Sequence, residues 1–286
     1  MSLKIRREKM KIAFTLKGTE NLEKWASFAH KQEIPGIEFL IERTISPASK
    51  EEKLLCIEAD FNIKMANEQR KILEKSKVEL CAIGLFRINY LDPKPEVREF
   101  NHKMLQQVIE YAVSVGCPLV YTDTGELEPG NTERNLEEFK CVFPTMQELA
   151  KGKGIQLAIY VGHPGNFINS KRILGWIYKQ MPQVRLKLDP VGIIRNLKAD
   201  PYEVIKDYGD RIIHFHIKDM LRMNGFEIDL PVGMGDLRWN KIVSLLYYHN
   251  YQGYLSIEPH EPMWSKEEKR AEHIILSKKH IEQFLL

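Results

Sequence analysis

The sequence is short of most features that mark out a specialised chain. No apolar run approaches the roughly 18 residues a membrane span needs, and the longer uncharged stretches, such as residues 111–122, are broken by Gly116 and Pro118. Cysteine is scarce: Cys56, Cys81, Cys117 and Cys141 lie far apart and form no Cys-x-x-Cys pair. That excludes a disulfide scaffold and reads as reduced core thiols of a cytoplasmic protein. There is no Asn-x-Ser/Thr sequon, no internal repeat and no low-complexity segment. Charge of one sign is also lacking. The net charge of +3 is accounted for by residues 1–9, where Lys4, Arg6, Arg7 and Lys9 face only Glu8. The remaining body is neutral, which argues against the phosphate-tracking surface of a nucleic-acid binder. The basic head is either an address or lipid-surface tag, or simply a frayed terminus ahead of Met10.

What is present is an ordinary globular composition, 43% apolar and 28% charged over 286 residues. The length suits two average domains or one α/β barrel of about 250 residues. Short β-rich runs alternate with longer runs of helical period. The strands are expected at 11–16, 36–41, 78–85, 119–123, 155–161, 184–189, 211–218 and 253–258. Between them, Phe100, Met104, Leu105, Val108, Ala112 and Val113 form one helical stripe. Leu136, Phe139, Val142, Phe143, Met146 and Leu149 form a second, and Trp239, Ile242, Val243 and Leu246 a third. Residues 43–62, interrupted by Pro47, show no clear element. Eight strands and about eight helices predict a single (β/α)8 TIM barrel over residues 10–286, preceded by the basic extension 1–9. An open doubly wound sheet is the alternative, but the first βα turn carries no Gly-rich phosphate loop.

In such a barrel chemistry sits at the C-terminal strand ends, and polar residues collect there. Period-two alternation turns Lys187 and Asp189 inward on strand six. It does the same for His214, His216 and Lys218 on strand seven, and for Ser256, Glu258 and His260 on strand eight. Buried charges are costly unless paired or metal-bound. Asp189, His216 and Glu258 on neighbouring strands would form an N/O site for a divalent cation, or each would make an ordinary strand-end hydrogen bond. Glu38 on strand two also faces inward and needs a counter-charge, as does Lys187. Lys218 would bind a substrate hydroxyl, carboxylate or phosphate, or else neutralise Asp219. Residues 220–236, with Gly225, Gly233 and Gly235, read as either a flexible lid or a static surface loop, and Trp239 as packing at a helix start.

Several stretches resemble one family. They are Leu91-Asp-Pro-Lys-Pro-Glu-Val-Arg98, Leu188-Asp-Pro190, His214-Phe-His-Ile-Lys-Asp219, Pro231-Val-Gly-Met-Gly-Asp236 with Trp239, and Gly253-Tyr-Leu-Ser-Ile-Glu258. In order and spacing these resemble the sugar phosphate isomerases and epimerases with the xylose isomerase-like TIM barrel, a group that includes endonuclease IV. The resemblance implies one divalent metal (Mn, Mg or Zn) held by Glu on strand five, Asp on strand six, the second His of the strand-seven His-x-His and Glu on strand eight. Asp189, His216 and Glu258 match. Tyr160, in Ile155-Gln-Leu-Ala-Ile-Tyr-Val-Gly-His163, stands where the strand-five Glu is expected, and Gly192 stands where the family often has His or Asn. His163, or Asp123 at the end of strand four, would be a substitute ligand if the register slips; Asp123 is otherwise a turn residue.

The resemblance therefore implies a metal-dependent isomerase or epimerase that moves a proton through an enediolate. Glu258 is its base, Tyr160 and Lys218 are further catalytic groups, and His163, Lys187, His214, Glu38 and His260 are substrate contacts. A dehydratase acting on a keto-polyol needs only one base and one acid and is the alternative. A sugar-binding barrel that has lost its chemistry is another, for which Tyr160 is the argument. A repair nuclease would need more His ligands and a basic surface. The expected partner is a small sugar or polyol, with no nucleic acid and no membrane; homo-oligomerisation stays open.

Overall fold

The structure, a computed structural model, describes residues 9–17, 20–45, 52–55 and 63–286. The basic head up to residue 8 and Cys56 lie outside the described residues. In chain order the elements are β1 (Lys11–Lys17), α1 (Leu22–Lys31), β2 (Gly36–Ile45), β3 (Glu52–Leu55), α2 (Ile63–Ser76), β4 (Glu79–Phe86) and α3 (Pro95–Val115). Then follow β5 (Leu119–Thr122), α4 (Thr132–Gly152), β6 (Gln156–Tyr160), α5 (Lys171–Gln180), β7 (Arg185–Leu188) and the short turn α6 (Pro190–Gly192). The chain ends with α7 (Pro201–Tyr208), β8 (Ile212–Ile217), β9 (Asp219–Met223), β10 (Phe226–Leu230), α8 (Trp239–Tyr248), β11 (Tyr254–Ile257) and α9 (Glu267–Glu282).

Eight parallel strands run in the order β1-β11-β8-β7-β6-β5-β4-β2, and β2 returns to β1, so the sheet closes on itself. This is the expected (β/α)8 TIM barrel. All eight expected strands are present, because the period-two and period-3.6 patterns alternate cleanly along most of the chain. The helical stripes pack as expected at their centres, with Met104, Leu105, Val108, Ala112, Phe139, Phe143, Trp239, Ile242 and Leu246 buried. Phe100 and Val113 depart from this. They lie at the edges of the α3 stripe and stay 41% and 44% exposed, while Ile109 and Val115 are buried. Of the cysteines expected in the core, Cys81 and Cys117 are buried but Cys141 is exposed on α4. Among the described residues no helix is long and apolar enough to cross a membrane.

Two segments differ from expectation. Residues 52–55 form a strand, β3, which pairs antiparallel with the far end of β2. Residues 219–230 are neither lid nor plain loop but an antiparallel hairpin, β9–β10. Its turn is Asn224-Gly225, both with positive φ (43° and 85°), the turn chemistry that a two-residue hairpin favours. The hairpin springs from Asp219, which is fully buried. The Asp219 carboxylate accepts from the backbone N–H of Met220 (2.9 Å), Gly233 (3.0 Å) and Leu237 (3.1 Å) and from the Trp239 indole N–H (2.9 Å). Gly235 has no room for a side chain, since a Cβ there would run into the Met220 carbonyl and the Asp219 carboxylate. The Asp219…Gly-x-Gly…Trp239 stretch is thus one collar, tied around a single carboxylate, that fixes how β8 leads into α8.

Removing that acceptor leaves four donors without a partner, and each buried loss costs about 1–3 kcal/mol. Asp219→Ala should lower stability by more than about 3 kcal/mol in urea unfolding followed by tryptophan fluorescence, with Asp219→Asn intermediate. A loss below about 1 kcal/mol would mean that the collar is held elsewhere.

Candidate active site at the strand ends

Each inward side chain takes its height in the barrel from its place on the strand. On β8, His214 is deepest, His216 next, and Lys218 follows the strand's end; Lys187 pairs in register with His214, and Ser256 with His216. This layering brings Asp189, His216 and Glu258 together: one ligating atom from each lies within 4.8 Å of the others, and none of the three is more than 9% exposed. The Lys218 ammonium sits between the two carboxylates, 3.0 Å from Asp189 Oδ2 and 2.6 Å from Glu258 Oε2. It does not neutralise Asp219, whose oxygens are taken by the collar. His216 Nδ1 lies 3.2 Å from Glu258 Oε2, while its Nε2 lies 2.7 Å from Glu38 Oε1. Asp189 is further fixed by the Val191 N–H (2.9 Å) and by the Tyr160 hydroxyl, which donates to Oδ2 at 3.1 Å.

The charges follow from this arrangement. Burial works to raise the Glu258 carboxyl, but Lys218 and then His216 outweigh it and hold it well below the usual range. Burial also works to raise the Asp189 carboxyl, and Lys218 and Lys187 bring it down to about 2. The Tyr160 phenol goes the other way. Burial, then the nearby Asp189 and Glu258 charges, push it well above its ordinary value, so it stays protonated. Tyr160 is therefore a hydrogen-bond donor to Asp189 rather than an anionic partner. Two carboxylate oxygens, already closed around the Lys218 cation, and one imidazole nitrogen beside them are a donor set that suits a divalent ion. The Glu38 contact on Nε2 leaves Nδ1 facing the carboxylates, the outer support that a ligating His needs.

Glu38, His214 and Lys187 do not line the cavity as substrate contacts would. They lie one layer lower and are 0–1% exposed. Glu38 takes His214 Nε2 on one oxygen (2.7 Å) and His216 Nε2 and the Tyr121 hydroxyl on the other, so it orients the centre from beneath. Lys187 has no hydrogen-bond partner among the described residues; its ammonium lies 3.3 Å from the centroid of the Tyr160 ring. Asp123 is not part of the cluster. Its carboxylate accepts from the Arg87 N–H (2.7 Å) and Asn166 Nδ2 (3.2 Å) and faces His163 Nδ1 at 2.9 Å, which makes it a tie between loops. His260 is on the rim, with its side chain 59% exposed and 3.2 Å from Asp229. β11 ends at Ile257, so the alternation that turned His260 inward stops before reaching it.

A cavity of about 380 Å³ opens above the cluster. Of the expected residues, Tyr160, His163, Asp189, Lys218, Glu258 and His260 line it. Sequence reasoning missed Lys17, Arg87, Arg195 and Arg270 on its walls. Lys17 and Arg87 end or follow barrel strands and were open to the strand-end rule; Arg270 comes from α9 and carried no signal. A larger surface groove of about 720 Å³ runs beside the Glu128–Thr132 turn and Trp176, and none of the strand-end residues lines it.

A closed barrel with its polar centre at the C-terminal strand ends defines the class: an α/β barrel of the kind that carries chemistry on its strand-end loops. Residues 20–279 match the family model of the xylose isomerase-like TIM barrel, and the chain belongs to that family. A curated relative, the inosose dehydratase of Clostridium perfringens, is 24% identical over 216 residues, 66% of this chain and 72% of that protein. Among solved structures, the D-psicose 3-epimerase of Clostridium cellulolyticum, in complex with D-tagatose, superposes with a TM-score of 0.75 at 14% identity, covering 96% of this chain and 99% of that one. The IOLI protein with a bound zinc atom gives 0.75 at 17%, with the same coverage. The 3-keto-D-glucoside 4-epimerase of E. coli gives 0.72 at 15%, covering 96% and 100%. At these identities the structural likeness establishes the fold. By their names, these relatives are a dehydratase and two sugar epimerases.

Lys187 generates a stability prediction. Burial outweighs the nearby Asp189, Glu258 and Glu38 charges and lowers its ammonium to about 8. The folded value is below the unfolded one, so the charge destabilises the fold at every pH below about 8, and that cost fades as pH rises toward about 10.4. In chelator-treated protein at pH 7, Lys187→Met should be more stable than the parent by about 2–3 kcal/mol, with the gap closing between about pH 8 and pH 10. A variant less stable than the parent at pH 7 would show that the ammonium has a partner.

Proposed function

We propose that the chain is a divalent-metal-dependent isomerase or epimerase of a sugar or polyol, working by proton transfer through an enediolate. The observation that carries this reading is the convergence of Asp189, His216 and Glu258 under the cavity, with a cation already between the carboxylates. Those three residues would hold the ion, which when bound polarises the substrate carbonyl and offsets the charge of the enediolate. Glu258, ionised and facing the cavity, takes the proton from the carbon next to the carbonyl. Lys218, hydrogen-bonded to the same Glu258 oxygen, holds that carboxylate in place and is the nearest proton donor to it. Tyr160 and His163, with rings stacked 5.0 Å apart, form the opposite wall. Tyr160 keeps its O–H on Asp189 and offers its oxygen as an acceptor there, and His163 and His260 contact substrate hydroxyls.

A dehydratase is the second reading, favoured by the curated relative and by the absence of a second carboxylate at position 160. Elimination needs one base, Glu258, and one acid on the leaving hydroxyl, a role open to Lys218. A cytoplasmic location belongs to the same proposal and is supported by the free thiols of Cys81, Cys117 and Cys141.

Calorimetry should detect about one Mn ion per chain, lost on dialysis and abolished in Asp189→Ala. Tyr160→Glu adds a fourth, anionic donor and should tighten Mn binding by about tenfold or more. Unchanged affinity there, with loss in Asp189→Ala, would put the strand-five position out of the site.

In D2O with Mn present, the protein should exchange the proton next to the carbonyl in at least one of a panel of ketohexoses and keto-inositols, read by NMR. Glu258→Gln should stop that exchange, because an amide cannot accept the proton. Exchange surviving in Glu258→Gln moves the base elsewhere; no metal binding and no exchange in the parent leaves a sugar-binding barrel.

A further inference from the structure

The α9 side of the cavity holds buried hydrogen-bond donors that nothing among the described residues satisfies. Arg270, at the start of α9, lines the cavity and is 3% exposed. One of its Nη atoms donates to the Thr15 carbonyl, and Glu20 lies 3.6 Å away, beyond a normal hydrogen bond. Its Nε has no partner among the described residues. Trp264, 7% exposed, has an unpartnered indole N–H. Its ring packs edge-on against His273 at 5.9 Å, and His273 is fully buried with neither ring nitrogen bonded. Burial, helped by Arg270, pushes His273 down to about 3, so it is neutral and offers one N–H.

Three donors without an acceptor, in one buried corner beside a sugar-sized cavity, are expensive unless an acceptor arrives with the ligand. The charge there points the same way. The two carboxylates that His273 feels are already matched, Asp229 by Arg195 at 2.6 Å and Glu258 by Lys218. On the cavity walls Lys218 is matched by Asp189 and Glu258, and Arg195 by Asp229 and Glu227, whereas Arg270 is paired only loosely, with Glu20 at 3.6 Å.

We propose that this corner binds the carboxylate of the substrate, so that the enzyme acts on a sugar acid rather than on a neutral sugar. A carboxylate brings one negative charge, equal to that of Arg270, and two oxygens able to accept from Arg270 Nε, Trp264 Nε1 and His273. A phosphate dianion would bring a second charge that the corner does not match. This rests on reading the strand-end cluster as the reacting centre, and it adds what holds the far end of the substrate.

The test uses three sugars that differ only at carbon six: D-glucose, D-glucuronate and D-glucose 6-phosphate. In calorimetry with the full chain, D-glucuronate should bind about tenfold or more tighter than D-glucose and tighter than D-glucose 6-phosphate, and the preference should shrink with salt. Arg270→Met should erase the preference. Trp264→Phe, which removes only the indole N–H and serves if Arg270→Met does not fold, should reduce it by about threefold or more. Equal or tighter binding of D-glucose, tighter binding of D-glucose 6-phosphate, or a preference unchanged in either variant overturns the proposal. Asp189→Ala separates the two readings: it removes the metal while the carboxylate preference should persist. Failure of the metal and exchange experiments therefore does not imitate failure here.

Discussion

The Lys218 ammonium between Asp189 and Glu258 is the contact on which the centre of this barrel depends. Asp189 and Glu258, with Glu38 beneath them, are three carboxylates in the interior of a closed sheet, where an unpaired charge costs several kcal/mol. A single chain of hydrogen bonds and ion pairs resolves this. It runs from Glu38 through His216 to Glu258, on to Lys218 and Asp189, and ends at the Tyr160 hydroxyl. Each member fixes the next, so the rotamers of six residues from five strands are decided together. The proposed role of Glu258, taking one proton from one carbon, requires a carboxylate held this firmly.

The scaffold separates two tasks by height. The lower layer, Glu38 with His214, Tyr121 and Lys187, does not line the cavity above the centre and orients the upper layer. The upper layer, Asp189, Lys218 and Glu258 with Tyr160, meets the cavity. The collar around Asp219 then carries the chain from β8 into the hairpin and α8 without disturbing Lys218 next to it. Adjacent residues thus serve opposite ends: Lys218 belongs to the proposed reacting centre, and Asp219 to the architecture that holds it there.

Tyr160 is where this chain departs from the pattern that the family resemblance implies, and the departure has a physical sense. A phenol cannot supply the second negative charge of a carboxylate, but it can donate to Asp189, and its protonated state is secured by the same burial that would penalise an anion. Two carboxylates then remain to share a cation, a balance that a lysine meets in part and a divalent ion in full.

Much of this was open to reading in the sequence. Alternation of period two set the eight strands and the inward faces, since successive Cβ atoms on a strand must point opposite ways. Strand-end position then drew attention to Asp189, His216, Lys218 and Glu258, and Asn224-Gly225 would have revealed the hairpin had its turn chemistry been weighed. Where alternation ended, the reading ended too: His260 lies beyond β11 and turned out to be on the rim. Depth was not legible either. Glu38, Lys187 and His214 share a face with the reacting layer, and only the stagger between neighbouring strands places them below it. The partners of charges were settled by tertiary structure alone: Lys218 to Asp189 and Glu258 rather than to its neighbour Asp219, Asp123 to the Arg87 loop, and Arg270 to a cavity wall formed by an outer helix. Local pattern reflects the geometry of one chain segment, whereas charge pairing depends on distances between segments that only the closed barrel determines.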